Sequence, residues 1–140
     1  MKVVLDTNTV ISGLFWKGAP RQVLDLARSG LIALFTTPEL LAELADVLGR
    51  EKFEHRLTLA QVTADELVYG YAALATTIRP AKIKPVIKAD PDDDKVLACA
   101  KSAKADWIVS GDRHLLNLEK YEKIPISSVN ELLEQFKSSG

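Results

Sequence analysis

Hydrophobic residues are grouped along the chain in two kinds of segment, short β-branched runs and longer stretches with helical spacing. The short runs predict buried strands at residues 2–5, 31–35, 107–110 and 124–127. The longer stretches predict helices at residues 20–29, 38–48, 90–104 and 129–136. Short strands that alternate with helices are typical of an α/β domain with a mainly parallel sheet flanked by helices.

Two segments leave alternatives open. Residues 58–78 form one long helix or two shorter ones, with Gly70 as a weak point. Residues 83–87 form a strand or an extended connection, because Pro85 disfavours a central position in a sheet. The chain contains no repeat, low-complexity tract or Gly/Ser linker, so we expect a single domain over residues 1–140 with a loose tail of a few residues.

Composition narrows the class of protein. With 140 residues, 47% hydrophobic and 26% charged, the chain is neither disordered nor fibrous. Its longest uncharged stretch, residues 67–78, is shorter than the roughly 20 residues of a membrane span. The single cysteine, Cys99, excludes an internal disulfide and a Cys-rich zinc site. An aspartate at position 6 interrupts any signal-peptide apolar region, and we expect a cytoplasmic protein.

The distribution of charge is more informative than its sum. Eighteen basic and 19 acidic residues give a net charge of −1, which does not indicate nucleic-acid binding. A basic run at residues 79–88 is followed directly by an acidic cluster: Arg79, Lys82, Lys84 and Lys88, then Asp90, Asp92, Asp93 and Asp94. This arrangement is compatible with a metal site beside a phosphate-binding edge, and equally with a solvated turn.

Acidic residues also follow two of the predicted strands. Asp6 ends the first strand, and Asp112 lies two residues beyond the strand at 107–110. Parallel strands bring their carboxyl ends to one edge of the sheet, where sites form. Glu43 lies on the border of the apolar face of its helix, roughly 100° from Leu44. Each alone has an ordinary alternative as a helix cap, a turn residue or a surface glutamate.

The acidic cluster contains one carboxylate more than helix capping needs. Asp90 as N-cap, Pro91 at the first helical position, and Asp92 and Asp93 in the first turn are usual at a helix start. Asp94 is left over. A divalent cation is the natural way to hold several carboxylates together, and oxygen ligands suit Mg²⁺ or Mn²⁺. The candidate set is Asp6, Glu43, Asp94 and Asp112.

The donor types of this set indicate its chemistry. An all-carboxylate site favours hard metal ions over zinc, and such sites suit phosphodiester hydrolysis. His55 lies in the charged stretch FEHR, where we expect a surface residue. His114 follows Asp112 closely and either touches the site or a phosphate, or is a solvated loop residue.

Four blocks of the sequence resemble the PIN-domain ribonucleases, in particular the small prokaryotic VapC-like toxins of toxin–antitoxin pairs. The blocks are VVLDTNTVIS, PELLAEL, DPDDDKVLACAKSAKADWIVSGD and SGDRHLL, and the similarity runs nearly end to end. The block from Asp90 to Asp112 is the most specific. The resemblance implies a parallel sheet flanked by helices, a homodimer, and a small antitoxin protein as partner.

The resemblance also implies ligands. It assigns Mg²⁺ or Mn²⁺ binding to Asp6, Glu43, Asp94 and Asp112, with Asp92 and Asp93 as second choices because the run of acids leaves the register open. Asn8 and Ser110 would support the site by hydrogen bonds. His114 stands where many relatives carry another acid, so a second ion would be weakly held or absent until substrate arrives.

The implied reaction is cleavage of single-stranded RNA by a metal-activated water. Lys95 and Arg113 are candidates for holding the RNA backbone, with ordinary surface cations as the alternative. Trp16, in the polar-edged sequence FWKG, is the aromatic residue to test for base stacking. A haloacid-dehalogenase-type phosphatase would need a second acid where Asn8 stands. The open alternative is a catalytically weak PIN-fold module that binds RNA or protein.

Overall fold

The computed structural model describes residues 1–87 and 90–139. The strands in chain order are β1 (Lys2–Leu5), β2 (Ala33–Thr36), β3 (Thr76–Thr77), β4 (Trp107–Val109), β5 (Lys120–Tyr121) and β6 (Ile124–Ser127). The helices are α1 (Thr7–Phe15), α2 (Ala19–Arg28), α3 (Pro38–Leu48), α4 (Glu54–Ala60), α5 (Ala64–Leu74), α6 (Asp93–Ala103), α7 (Arg113–Leu116) and α8 (Val129–Ser139), with a 3-10 helix at Glu51–Phe53 before α4.

The described strands form one six-stranded sheet in the order β3-β2-β1-β4-β6-β5. β1 lies in the interior of the sheet and pairs in parallel with β2 and β4, so that Val3 is opposite both Leu34 and Trp107. The β2–β3 and β4–β6 pairs are also parallel, whereas β5 runs antiparallel to β6. This arrangement confirms the predicted mainly parallel sheet.

Helices cover both faces of the sheet. Val3 and Leu5 of β1 face a core that contains buried residues of α1, α2, α3 and α8. Val4 faces the other side, where it packs with buried residues of α6 and α7. Alternate residues of a strand point to opposite faces, so the consecutive buried apolar residues Val3, Val4 and Leu5 fit a strand that is covered on both sides. The predicted α/β class, with helices flanking the sheet, is confirmed.

Several predicted elements have the expected bounds. β1, β6 and α3 begin and end where the sequence pattern places them, and Thr37 accepts a hydrogen bond from the Leu40 N–H at 3.2 Å as the N-cap of α3. The segment at residues 58–78 contains the end of α4 and the whole of α5. The break comes at Gln61, in a left-handed conformation with φ 57°, and not at Gly70, which lies inside α5.

Other elements differ from the prediction. Residues 83–87 form an extended connection without strand pairing. The helix expected from Asp90 begins at Asp93, because Asp90 instead closes a turn in which its Oδ1 accepts from the Asp92 N–H at 3.1 Å. The strand expected at residues 31–35 is β2, which begins two positions later and ends one position later. α1, α7, β3 and β5 were not among the predicted elements.

The extent of the domain stays a prediction. α8 continues the chain in helical form to Ser139, and Gly140 lies outside the described residues, as does Lys88 of the basic run. Within residues 1–87 and 90–139, the helices are all too short or too polar to cross a membrane.

Candidate metal centre

An acidic cleft of about 240 Å³ opens at the carboxyl edge of the sheet, beside the ends of β1 and β4. Parallel strands and the helices that follow them converge at this edge, which brings residues from distant parts of the chain together. The residues that line the cleft are Asp6, Thr7, Asn8, Glu43, Val47, Arg50, Lys52, Asp90, Asp92, Asp93, Val96 and Asp112.

Asp6 and Asp112 are held by a shared serine. Asp6 is buried and caps α1, and its Oδ1 accepts from the Thr9 N–H at 2.9 Å. The buried Ser110 hydroxyl donates to Asp6 Oδ2 and accepts from the Asp112 N–H at 2.8 Å. One side chain thereby links both strand ends, and the predicted supporting role of Ser110 in the site stays a prediction.

Glu43 enters the cleft from α3. It is half-buried, as its place on the border of the apolar face predicts, and its Oε2 accepts a hydrogen bond from the Thr7 hydroxyl at the start of α1. Burial raises the pKa of Glu43, the Thr7 hydrogen bond lowers it, and the charge of Asp92 raises it. Thr7 therefore orients Glu43 towards the same space as Asp6.

Asp93, at the start of α6, is the most perturbed acid of the cleft. Its side chain is buried, and Oδ2 has no hydrogen-bond partner within the part of the chain that is described. Burial, followed by the hydrogen bond with Asp112 and the charges of Asp112, Asp90 and Asp6, raises the pKa of Asp93 to about 8. An unpartnered buried carboxylate oxygen is costly unless a cation or proton compensates it.

Asp94 lies outside the cleft, and this corrects its predicted place with Asp6, Glu43 and Asp112. Its carboxylate accepts from the backbone N–H groups of Val86, at 3.2 Å, and Ile87, at 3.0 Å. Successive helical residues point about 100° apart, so adjacent aspartates at the start of α6 cannot face the same space. Asp93, a second choice in the sequence, occupies the expected position instead.

The donor set fits a hard divalent cation. Carboxylate oxygens of Asp93 and Asp112 and a ring nitrogen of His114 lie within 4.8 Å of one another. His114 is exposed, and its Nδ1 is 3.4 Å from Asp112 Oδ1. The unpartnered Asp93 Oδ2 in an oxygen-rich pocket suits Mg²⁺ or Mn²⁺, with Asp6, Glu43, Asp93 and Asp112 as the residues that would hold it.

The remaining predicted residues lie around the rim. Asn8 is exposed on the wall of the cleft. Asp92 also lines the cleft, and its Oδ1 is 2.9 Å from Lys95 Nζ, a hydrogen bond that raises the pKa of Lys95. Lys95 itself points to the neighbouring groove beside Asp94. Arg113 is exposed at the start of α7, next to Asp112.

Sequence reasoning missed three residues of the cleft. Thr7 follows Asp6 directly, and its position at a strand end was the available signal. Arg50 and Lys52 line the cleft from the 3-10 helix and the residue before it. The mixed charges of that stretch give no periodic signal, so nothing in the sequence distinguished these cations from ordinary surface residues.

The architecture and the carboxylates together define an α/β domain with an acidic metal-binding cleft at the carboxyl edge of its sheet. The chain belongs to the PIN domain family, whose model matches residues 2–114. PIN domains are in general metal-dependent nucleases. The matched region includes Asp6, Glu43, Asp93 and Asp112. A comparison with curated proteins finds no match.

Proposed function

We propose that this protein is a metal-dependent endoribonuclease that hydrolyses phosphodiester bonds of single-stranded RNA. The observation that carries the proposal is the buried Asp93 carboxylate, whose Oδ2 has no hydrogen-bond partner among the described residues, in a cleft that Asp6, Glu43 and Asp112 also line. A bound Mg²⁺ or Mn²⁺ supplies Lewis-acid chemistry there, lowering the pKa of a water and neutralising charge on the phosphate.

The chain's own residues have separate parts in this proposal. Ser110 holds the Asp6 carboxylate and the Asp112 backbone, and Thr7 holds the Glu43 carboxylate, so that little reorganisation of the cleft is needed when substrate binds. Asn8 stands where it can contact the substrate on the wall of the cleft. Arg113 and Lys95 at the rim are proposed to contact backbone phosphates.

We also propose the biological setting that the resemblance to VapC-like proteins implies. The chain would be the toxin of a toxin–antitoxin pair, acting in the cytoplasm as a homodimer and covered by a small antitoxin protein. The free, buried Cys99 is compatible with a reducing compartment. Expression in a bacterial host should arrest growth, and the Asp6→Asn variant should not.

The nuclease proposal is tested on a mixed-sequence single-stranded RNA with Mn²⁺, Mg²⁺ or EDTA. We expect metal-dependent internal cleavage by the wild-type protein and a loss of at least about 100-fold in Asp6→Asn and Glu43→Gln. Glu39→Gln is the matched control, because Glu39 is exposed one helical turn from Glu43 and outside the cleft. Parallel assays with duplex RNA and single-stranded DNA as substrates define the substrate class.

Two outcomes would contradict the proposal. Equal cleavage by wild type and Asp6→Asn would show that the activity does not depend on this cleft. Absence of cleavage together with RNA binding and a Mn²⁺-induced rise in melting temperature would favour the alternative, a catalytically weak binding module.

A further inference from the structure

We propose that a surface of cations and aromatic rings beside the cleft binds the single strand on one side of the scissile bond. This surface, called here the Trp16 surface, is formed by the exposed side chains of Trp16, Arg50, Lys52 and Arg56. The inference rests on the proposed ribonuclease function and extends it to the way in which the strand is held.

The Trp16 surface is continuous with the cleft. Arg50 and Lys52 line the cleft itself. The Lys52 Nζ lies 5.2 Å from the ring centroid of Phe53, which stacks on Phe15 with centroids 5.5 Å apart. Phe15 in turn meets Trp16 edge to face at 5.7 Å. A row of packed rings therefore underlies the surface from the mouth of the cleft to Trp16.

Trp16 is presented to solvent in an ordered way. Its side chain is 40% exposed, although it packs on Phe15 and the Arg56 guanidinium lies 4.1 Å from its ring centroid. Both indole rings and guanidinium planes stack on nucleobases. The pair Trp16 and Arg56 is suited to hold an unpaired base.

Charge favours a nucleic-acid strand on this surface. The floor of the cleft is acidic and repels phosphates, whereas Arg50 and Lys52 place positive charge at its wall. Among the described residues, Arg50 pairs with the exposed Asp46 at 3.3 Å, and such a pair contributes little and leaves Arg50 available to a phosphate. Since the whole chain carries a net charge of −1, affinity for RNA depends on local cations of this kind.

Helix α1 fixes the distance from the carboxylates to the stacking position. Asp6 caps one end of α1 and Trp16 the other, and its nine residues at about 1.5 Å each span roughly 14 Å. A strand that reaches both the carboxylates and Trp16 must cover this distance. Substrates shorter than this on the relevant side of the scissile bond should therefore not depend on Trp16.

The test measures binding without catalysis. A fluorescent single-stranded RNA of about 12 nucleotides is titrated with the full chain in EDTA. We expect Trp16→Ala and Arg56→Gln to raise Kd by at least about fivefold, and Trp16→Phe to raise it by less than about twofold. Tyr69→Ala, an aromatic residue 76% exposed on α5, and Lys123→Gln, in the turn before β6, are matched controls expected to leave Kd unchanged.

Intrinsic fluorescence gives a second readout that needs no destabilised variant. RNA stacked on Trp16 should quench tryptophan emission, and Trp16→Phe, which keeps only the half-buried Trp107, should lose most of that quenching. If Trp16→Ala fails to fold, quenching in wild type and the affinity of Arg56→Gln decide the question.

The outcomes separate this inference from the proposed function. RNA binding that depends on Trp16 without any metal-dependent cleavage would support the surface and contradict the nuclease. Cleavage with wild-type affinity in both Trp16→Ala and Arg56→Gln would overturn the surface alone. A change of oligomeric state in Trp16→Ala with unchanged RNA affinity would also overturn it, and would identify an interface between copies of the chain.

Discussion

Two consecutive aspartates at the start of α6 have opposite surroundings. Asp93 is buried among the carboxylates of the cleft with an unpartnered oxygen, whereas Asp94 accepts from the two backbone amides of Val86 and Ile87. The first arrangement is unfavourable without a cation, and the second stabilises the extended connection before α6. Their substitutions should therefore act in opposite directions.

We expect Asp93→Asn to raise the free energy of unfolding in EDTA by about 1–3 kcal/mol at pH 8, because it removes a buried charge near Asp112 and Asp6. It should also abolish the rise in melting temperature caused by Mn²⁺. Asp94→Ala should lower the free energy of unfolding by about 1–3 kcal/mol and retain the Mn²⁺ effect. Thermal unfolding of both variants with and without Mn²⁺ checks this contrast. A Mn²⁺ effect lost in Asp94→Ala but kept in Asp93→Asn would reverse the assignment.

Sequence reasoning reached most of the cleft's carboxylates but not the choice between these two. Asp6 and Asp112 follow strands, and Glu43 lies at the edge of an apolar face, so pattern alone located them. The choice between Asp93 and Asp94 depends on where α6 begins, and helix starts are uncertain by one or two residues. At about 100° per residue, such an error changes which side chain faces the cleft.

At the scale of elements, the packing of α1 on α2 determines the position of the cleft residues at the beginning of α1. A Cβ atom at Gly13 would lie 2.7 Å from Leu24 Cδ1 and 3.0 Å from the Pro20 carbonyl oxygen. Arg21 reinforces the contact by donating to the carbonyl groups of Gly13, at 3.0 Å, and Leu14, at 2.8 Å. α1 carries Asp6 and Thr7 at its other end, so its position is shared by the cleft.

Gly13→Ala should lower the free energy of unfolding by about 1–3 kcal/mol, since the added methyl group must displace Leu24 or the α2 backbone. Gly70→Ala is the matched control: Gly70 lies inside α5, and apart from its chain neighbours and the backbone of its own helix, no atom of the described residues comes within 4 Å of its Cβ position. That variant should be more stable by about 0.5–1 kcal/mol. Urea denaturation of both measures the difference, and equal stability of the two variants would contradict the close packing of α1 on α2.

The elements that the sequence did not predict lack the signals on which prediction depends. β3 and β5 contain two residues each, too few for any hydrophobic period. α7 is a single turn that begins after Asp112. α1 follows β1 directly, and its N-cap is Asp6, which the sequence analysis interprets as a metal ligand and not as a helix cap. Where long apolar stretches carry the pattern, as in α3, the predicted bounds hold.

For the whole molecule, the acidic cleft makes the free energy of unfolding depend on pH and on metal binding. The pKa of Asp93 in the folded protein, about 8, lies above the unfolded value of about 3.9, and that of Glu43 is also raised by burial. At pH values between the unfolded and the folded pKa of Asp93, the folded state therefore binds more protons than the unfolded state does. The resulting contribution to stability is complete below about pH 4 and is lost as pH rises to about 8.

In EDTA, we expect the free energy of unfolding to fall by about 1 kcal/mol per pH unit between about pH 5 and pH 8. Saturating Mn²⁺ should remove or reverse this slope, because the metal binds the deprotonated carboxylates. Asp93→Asn should remove most of the slope without metal. Urea titrations across this pH range provide the measurement, and stability that rises with pH in EDTA would contradict the raised pKa.

The interior position of β1 determines when the cleft can exist during protein synthesis. Asp6 is made before its partner Ser110, which follows 104 residues later, with Asp112 beyond it. At roughly 5–20 residues per second, a ribosome takes several seconds to cover that interval. A nascent chain therefore carries an incomplete set of carboxylates. The cleft is assembled only after Asp112 has left the ribosome, so a shorter nascent chain does not present a complete site to the messenger being read.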